Sequence, residues 1–553
     1  ITSTYKLNNS VRSSLQSWSF VYVASFSSYT QSLRSVFVGE SRVSDVVNKT
    51  NIYSIDRRVI PNFQIQHQGF DELSRDPEIT KYFTRSYPFV ELPGMVRLLS
   101  RSKLFNPTFI HKIRDQVANT KKNFLDSMNS SVDKYSRLRS VSFSQDELDY
   151  AVSKVLTDVV DFSTLEIPSL GSVYEQVNFK ASAGLPIPHV KKRDLKQEIY
   201  ALLESFYAGE LNFNDILSDT HYFSAAFMRN QITSSGLKTR LVFAVNYIVV
   251  VIETYFNITF KSMISSPNSD FAIGRTQQQI SDKVLSFRGG YNMSFDVKGF
   301  DNSVPRIVII TSFKILEGVL PLSSYQLSVF KWLRNYFVTL PLFHPLIKLV
   351  SRQKGITSGS GFTSVIGSMC MYFMHCVTLY RYTKQVGMSI NNMSVRIVVS
   401  GDDSIVSTSQ FIDNVVYSKL MQEIFGVELE LEFISKPGDS EIGFLGSVWK
   451  DGVPFRDVNR MFGRIAFGSS NFPEMTEKQM FSSRCFEILG HVGDFEEIWS
   501  SFRLPLERRI FRFSELSYHN VKYQVLAKQS RDNRGFWTNV DPLSDLNSVW
   551  RTR

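Results

Sequence analysis

The segment SFDVKGFDNSVP, Ser294–Pro305, holds Asp296 and Asp301 where an apolar strand gives way to a turn. Further on, SVRIVVSGDDSIVSTS, Ser394–Ser409, sets Gly401, Asp402 and Asp403 between two β-branched runs. Such runs around a tight turn predict a hairpin, and glycine takes the turn conformation that other residues avoid. Acid at one strand end and at the tip of an adjacent hairpin would meet on one sheet. Magnesium favours a few hard carboxylate oxygens and completes its shell with water and substrate phosphates. Two such ions roughly 4 Å apart lower the pKa of an attacking hydroxyl and neutralise a departing pyrophosphate. On this reading Asp296 and Asp402 hold metal, and Asp301, past the turn, meets the sugar of an incoming nucleotide. Neither motif decides this alone, because a Gly-Asp-Asp triplet arises by chance in roughly one chain in ten of this length.

The elements needed to carry these acids are legible on both sides of them. Residues 66–160 read mostly as helices, with apolar positions at helical spacing in FIHKIRDQVANTKKNFLDSM. FKASAGLPIPHVKKR, Phe179–Arg193, is a small-residue and proline turn entering a basic cluster. Ser224–Val245 reads as two strands joined by a glycine-containing turn, with Arg229, Lys238 and Arg240 spread along them. Helices with long connections fill 305–350. KGITSGSGFTSVIGSMCMYFMHCV, Lys354–Val377, is a glycine-serine loop running into an apolar helix. A helix over Phe411–Phe425, strand-like pieces in LELEFISKPGD and EIGFLGSVWKDGVPFR, and a mainly helical last hundred residues complete the reading.

A length of 553 residues predicts roughly three domain-sized units. Apolar residues at 43% and aromatics at 13% exclude a disordered chain. The net charge of +10, with a pI near 9.2, suits an anionic partner such as nucleic acid. Three cysteines (Cys370, Cys376, Cys485), none in a CxxC pair, argue against a disulfide framework or a structural zinc site and for a reducing compartment. The histidines do not cluster at ligand spacing. No membrane span is expected, since the most apolar run, Leu241–Glu253, is interrupted by Asn246 and ends in a charge. The sequons at Asn48 and Asn292 read as chance matches. Residues 1–39 lack Asp and Glu and carry Lys6, Arg12 and Arg34. An arm packing on the body is favoured there over a mitochondrial presequence.

The order DVKGFD, SGSGFT, GDD resembles motifs A, B and C of viral RNA-dependent RNA polymerases. SAGLP (Ser182–Pro186) resembles the template-entry motif G, and GLKTRLV (Gly236–Val242) resembles motif F. SKPGD with Lys436 resembles motif D, and FLG (Phe444–Gly446) resembles the primer grip, motif E. SGSxFT, and FLG followed by GxPxR (Gly452–Arg456), are most similar to the polymerases of partitiviruses, with picobirnaviruses as relatives, both with double-stranded RNA genomes. The motifs span residues 182–456.

The resemblance implies an α+β right-hand polymerase. It would have an N-terminal extension at 1–85 closing the ring between fingers and thumb, and fingers at 86–285. The palm would span 286–455 with a fingers insertion at 306–354, and a helical thumb and tail would fill 456–553. It implies Asp296 and Asp402 as ligands of two Mg²⁺ ions, replaceable by Mn²⁺, with Asp403 secondary. Asp301, Ser358 and Thr363 would sense the ribose, with Gly359 also at the substrate, Arg240 and Lys238 would contact the triphosphate, and Lys436 would protonate pyrophosphate. Ser182, Gly184, Phe444 and Leu445 would lie along RNA. Partners would be template and product RNA, NTPs and a viral capsid protein, and the place of action the virion interior and the host cytoplasm. Plainer readings stand beside these: Lys238 and Arg240 as a solvated strand face, Lys436 as a turn lysine, and Ser358-Gly359 as a helix-capping turn. Phe444 and Leu445 read as core, and Lys298 as a structural charge at least as readily as a phosphate contact.

Two positions depart from the family pattern. Gly367 stands where an Asn or Asp usually helps read the 2′-hydroxyl, with Ser364 or Ser368 as substitutes, and Leu241 stands where motif F often has proline. A reverse transcriptase shares the palm logic but usually has an aromatic where this chain has Ser400, and it lacks the SGxxxT loop. A non-catalytic RNA- or capsid-binding protein on a polymerase fold is the rival from another class. Neither GxxxxGK[ST] nor HExxH occurs, so helicase and zinc-protease readings have no support.

Overall fold

The structure, a computed structural model, describes residues 63–468 except 85–89, 92–95, 97–106, 265, 267–268 and 348–351. The expected N-terminal arm up to residue 62, Cys485, the C-terminal tail and all but the first turns of the expected thumb lie outside the described residues.

The chain builds helices α1 (Pro107–Lys122), α2 (Phe124–Ser136) and α3 (Gln145–Asp158), then the hairpin β1 (Ser224–Thr233) and β2 (Gly236–Ala244), then helix α4 (Tyr247–Ile264). Strand β3 (Tyr291–Val297) runs into the short helix α5 (Phe300–Ser303), followed by α6 (Arg306–Val319) and α7 (Ser324–Thr339). Helix α8 (Thr363–Gln385), strands β4 (Val395–Ser400) and β5 (Asp403–Thr408), helix α9 (Asn414–Phe425) and strand β6 (Leu429–Ser435) come next. The small strands β7 (Glu441–Phe444), β8 (Ser447–Lys450) and β9 (Val453–Phe455) lead to α10 (Val458–Ala466). This is a mixed helix-and-sheet architecture, and the two hairpins and the strand entering Asp296 stand where the residue patterns place them.

The central sheet has the order β4-β5-β3-β6, antiparallel throughout. Its central strand β3 is covered on both faces, with Met293, Phe295 and Val297 buried and Asn292 and Ser294 buried as well. Asn292 Nδ2 donates to the Phe287 and Gly290 carbonyls and to Ser435 Oγ, while its buried Oδ1 has no partner among the described residues. That burial removes Asn292 as a glycosylation acceptor. Ala272, Val284, Phe287, Val398, Ile405, Ile442, Phe444 and Trp449 form one core with the sheet.

Helix α8 runs behind the sheet, packed against α3, α6, α9 and β4. Its Met369, Phe373 and Val377 are fully enclosed, each contributing roughly 1.5–3 kcal/mol relative to exposure. Helix α3 is started by a capping box in which Ser144 and Glu147 satisfy each other's backbone N–H. The same Glu147 carboxylate takes both Nε and Nη2 of Arg381, at 2.7 Å each, tying α3 to α8.

The apolar run at Leu241–Glu253 is two elements, not one. Buried Asn246 separates β2 from α4, its Oδ1 accepting from Ile248 N and its Nδ2 donating to the Leu185 carbonyl. Helix α4 is long and apolar enough to cross a membrane, yet 67% of it is buried inside the protein. With Glu253 fully enclosed at its middle, α4 behaves as a core helix.

Candidate active site

Asp296 is the penultimate residue of β3, Asp402 stands in the β4–β5 turn, and Asp403 opens β5. The ladders at this end of the sheet close with Phe295 opposite Ser404 and Ser400 opposite Asp403. One step past the first of these brings Asp296 beside Asp403. Gly401 has φ +69° with open space around it, so backbone conformation, not crowding, demands glycine there.

Helix α8 holds this turn from below at two points on one face. Ser368 Oγ, fully buried, accepts from Gly401 N at 2.7 Å. Two turns on, buried His375 bridges Ser404 Oγ (2.9 Å) and Tyr417 Oη (2.6 Å). Burial holds this imidazole neutral, its pKa lowered to about 3. Ser368 is therefore committed to the turn and does not serve as the substitute ribose reader. Ser368→Ala leaves the Gly401 N–H unpaired, and denaturant unfolding should show a loss of about 1–3 kcal/mol.

The acids repel one another. Burial, then the Asp296 charge, raises Asp402 from 3.8 to about 6, against the opposing pull of Arg240. Asp403 is raised well above its ordinary value by burial, then by Asp402, Glu432 and Asp296, with Arg460 opposing. Asp301 is raised by burial, with Arg240 and Lys238 pulling the other way. Among the described residues no group of three or more His, Cys, Asp or Glu forms a ready-made metal cage. A magnesium site built on one or two carboxylates plus substrate phosphates needs none, and buried carboxyls raised first by desolvation and then by one another's charge are what a divalent cation relieves.

The cations come from the β1–β2 hairpin. Its register sets Arg229 opposite Arg240 and Gln231 opposite Lys238, so Lys238 and Arg240 share one face. Lys238 Nζ lies 4.0 Å from Asp296 Oδ2. Arg240 Nε is buried and has no hydrogen-bond partner among the described residues, a donor left over for an anion. Leu241, where the family often has proline, is buried in the core under the hairpin.

The glycine-serine loop closes against the same strand. Ser358 Oγ accepts from Phe243 N at 3.1 Å. A Cβ on Gly359 would meet the Phe243 carbonyl oxygen at 2.0 Å, so only glycine lets the loop approach this closely. Thr363 Oγ1 donates to the Thr357 and Ser360 carbonyls, which turns its hydroxyl into the loop. Gly367 packs on the ring beside Asp301: its Cβ would lie 3.2 Å from Phe300 Cε1. Gly367→Asn should crowd Phe300 and cost about 1–3 kcal/mol, read as a lowered thermal midpoint. Ser364 remains exposed on the first turn of α8.

Other expected site residues are placed differently. Ser182 Oγ donates to the Pro188 carbonyl and accepts from Gly184 N, and Gly184 (φ +77°) lies against the Val245 carbonyl. Both shape their loop from within. Lys436 sits on an exposed turn after β6, where its backbone N–H donates to Asp439. No hydrogen bond or ion pair among the described residues joins its side chain to the aspartates. The Phe444 side chain is buried in the core, which removes it as an RNA contact, while Leu445 is half-buried at φ +55°. Lys298 pairs with Glu428 at 3.0 Å, a surface ion pair.

Two residues at this site escape a reading of the sequence. Ser294 pairs with Phe433 and Phe295 with Leu431, leaving Glu432 as a β-bulge in β6. Bulges re-aim side chains, and the Glu432 carboxyl is raised by desolvation and then by Asp296 and Asp402. Arg460, from α10, opposes the charges of both Asp403 and Glu432.

The site brings a cluster of raised carboxyls against the cations of one hairpin, and comparison with known sequences gives the class of protein. The chain belongs to the viral RNA-dependent RNA polymerase family, whose model matches residues 103–503. A stretch of 75 residues is 36% identical to the RNA-directed RNA polymerase of Cryptosporidium parvum virus 1 (strain KSU-1). That match covers 13% of this chain and 14% of the relative.

Proposed function

We propose that the chain carries out template-directed RNA synthesis, replicating and transcribing a viral double-stranded RNA genome. The 3′-hydroxyl of the growing strand attacks the α-phosphate of an NTP, and pyrophosphate leaves. The observation that carries this reading is the juxtaposition of mutually repelling Asp296, Asp402 and Asp403 with Arg240, whose buried Nε has no partner among the described residues. Acid for metal and base for triphosphate face each other on one sheet and its neighbouring hairpin.

Asp296 and Asp402 would hold Mg²⁺, with Asp403 secondary and Mn²⁺ able to serve. When bound, the ions lower the pKa of the attacking hydroxyl and neutralise the leaving group. Arg240 and Lys238 orient the triphosphate, whose charge also offsets the hairpin's own. Asp301, beside Arg240, receives the ribose, with Ser358, Gly359 and Thr363 shaping the opposite wall. Lys436 delivers the proton to pyrophosphate. Ser182, Gly184 and Leu445 line the RNA path through their backbone. In this reading residues 1–85 bridge fingers and thumb, 86–285 are fingers, 286–455 palm with the 306–354 insertion, and 456–553 thumb and tail. A capsid protein is the partner, and the virion interior and host cytoplasm the place of action.

The test is RNA synthesis on a generic single-stranded RNA, with rNTPs against dNTPs and Mg²⁺ against EDTA. Product with rNTPs and metal only is expected. Equal use of dNTPs would transfer the assignment to a reverse-transcriptase-like enzyme.

A further inference from the structure

Helix α4 carries a carboxylate that the reaction described above does not use. Glu253 is fully buried, and among the described residues its carboxylate accepts no hydrogen bond from its own helix. Its two oxygens reach the glycine-serine loop instead: Oε1 accepts from Ser360 Oγ and Oε2 from Gly361 N, both at 2.7 Å. The approach is close enough that a Cβ on Gly361 would lie 3.1 Å from Glu253 Cβ. The other side of the loop is held by Phe243, through Ser358 Oγ and the space at Gly359. Strand β2, which ends in Phe243-Ala244, continues through Asn246 directly into α4. One continuous stretch of chain therefore carries Lys238 and Arg240 and also grips the loop from two sides.

We propose that Glu253 is a positioning residue whose buried carboxylate fixes the Ser358–Gly361 loop against the triphosphate-binding strand, and that its ionisation sets how firmly the loop is held. This rests on the polymerase reading for its consequence in activity, but not for the loop contact itself. A charged acceptor binds an N–H and an O–H about twice as strongly as a neutral one. Burial, only partly opposed by the Ser360 and Gly361 bonds and by Lys192, raises this carboxyl to about 7. The charged and titratable groups facing it are Lys192, buried and lowered to about 8, and the Tyr336 hydroxyl of α7, which has no hydrogen-bond partner. The loop should thus be gripped above neutral pH and loosened below it.

Amide exchange of residues 357–363 in the full-length protein without substrate, corrected for the intrinsic pH dependence of exchange, reads the grip directly. Protection at Gly361 should fall about tenfold in wild type as pH drops from 8.5 to 5.5. Glu253→Gln should abolish that step, and Lys192→Met should move its midpoint upward. Glu253→Ala should lose protection at every pH and lower kcat/KM for rNTPs about 100-fold, with Glu253→Asp recovering part of both. If Glu253→Ala does not fold, the Gln and Asp variants decide. Unchanged loop protection in the variants, or a flat wild-type profile, overturns the proposal. A wild-type protein that makes no RNA but shows the step would uphold the loop contact and remove the polymerase reading instead.

Discussion

Asp402→Asn is expected to lower RNA synthesis at least about 10³-fold and, in metal-free buffer at pH 8, to raise stability above wild type. The two effects have one cause. Burial and the neighbouring Asp296 charge disfavour ionised Asp402, which titrates near about 6 in the folded chain against 3.8 ordinarily. A carboxyl raised in this way favours folding fully below its unfolded pKa, and that contribution is lost as pH rises through about 6. Asparagine stays neutral throughout, so the two proteins should match near pH 3.5 and diverge by roughly 1–3 kcal/mol at pH 8. Adding Mg²⁺ should reverse the order, because only wild type keeps the ligand that lets the ion stabilise the folded state. Thermal unfolding with EDTA and with Mg²⁺ checks both halves. A variant destabilised in EDTA would mean Asp402 is held by favourable contacts, not by a balance awaiting metal.

The second large effect is expected at Arg240. Arg240→Ala should reduce kcat/KM for NTPs about 10²–10³-fold, chiefly through KM, because it removes a buried donor that has no partner among the described residues and that acts on both Asp301 and Asp402. Its loss should also move the pH dependence. Arg240 opposes the upward shifts of both Asp301 and Asp402. Without it both carboxyls ionise at higher pH, and the acid limb of the rate profile should move upward. Arg229→Ala, directly across the hairpin but exposed, should cost far less in KM and leave the pH limb in place. Steady-state kinetics of single-nucleotide addition from pH 5.5 to 9 would separate the two. Equal losses would return the hairpin to a solvated basic face.

The parts of this site that local pattern dictates were readable from the residues. VRIVV and SIV flank Gly401 closely enough for the hairpin to follow from β-branched runs and one glycine. The strand entering Asp296 and the loop entering α8 follow in the same way. What pattern cannot convey is contact across the sheet and behind it. Glu432 reaches the acids only because one unpaired residue in β6 turns it, and nothing in LELEF announces a bulge. Arg460 comes from a helix beyond three further strands. Ser368 and Ser364 look equivalent as hydroxyls near Gly367, but helical phase buries one under Gly401 and exposes the other. Phe444 carries a motif resemblance, and its burial with Trp449 assigns it to packing. His375, without partners in sequence, finds Tyr417 and Ser404 only through tertiary packing.

These acids and bases are arranged to join nucleotides under the direction of a template. The most direct test offers the full-length protein an annealed RNA primer and template with one rNTP at a time, in Mg²⁺. Addition of the nucleotide complementary to the templating base is expected, and loss of that addition in both Asp296→Asn and Asp402→Asn. Addition regardless of the templating base, or undiminished addition by either variant, would contradict it.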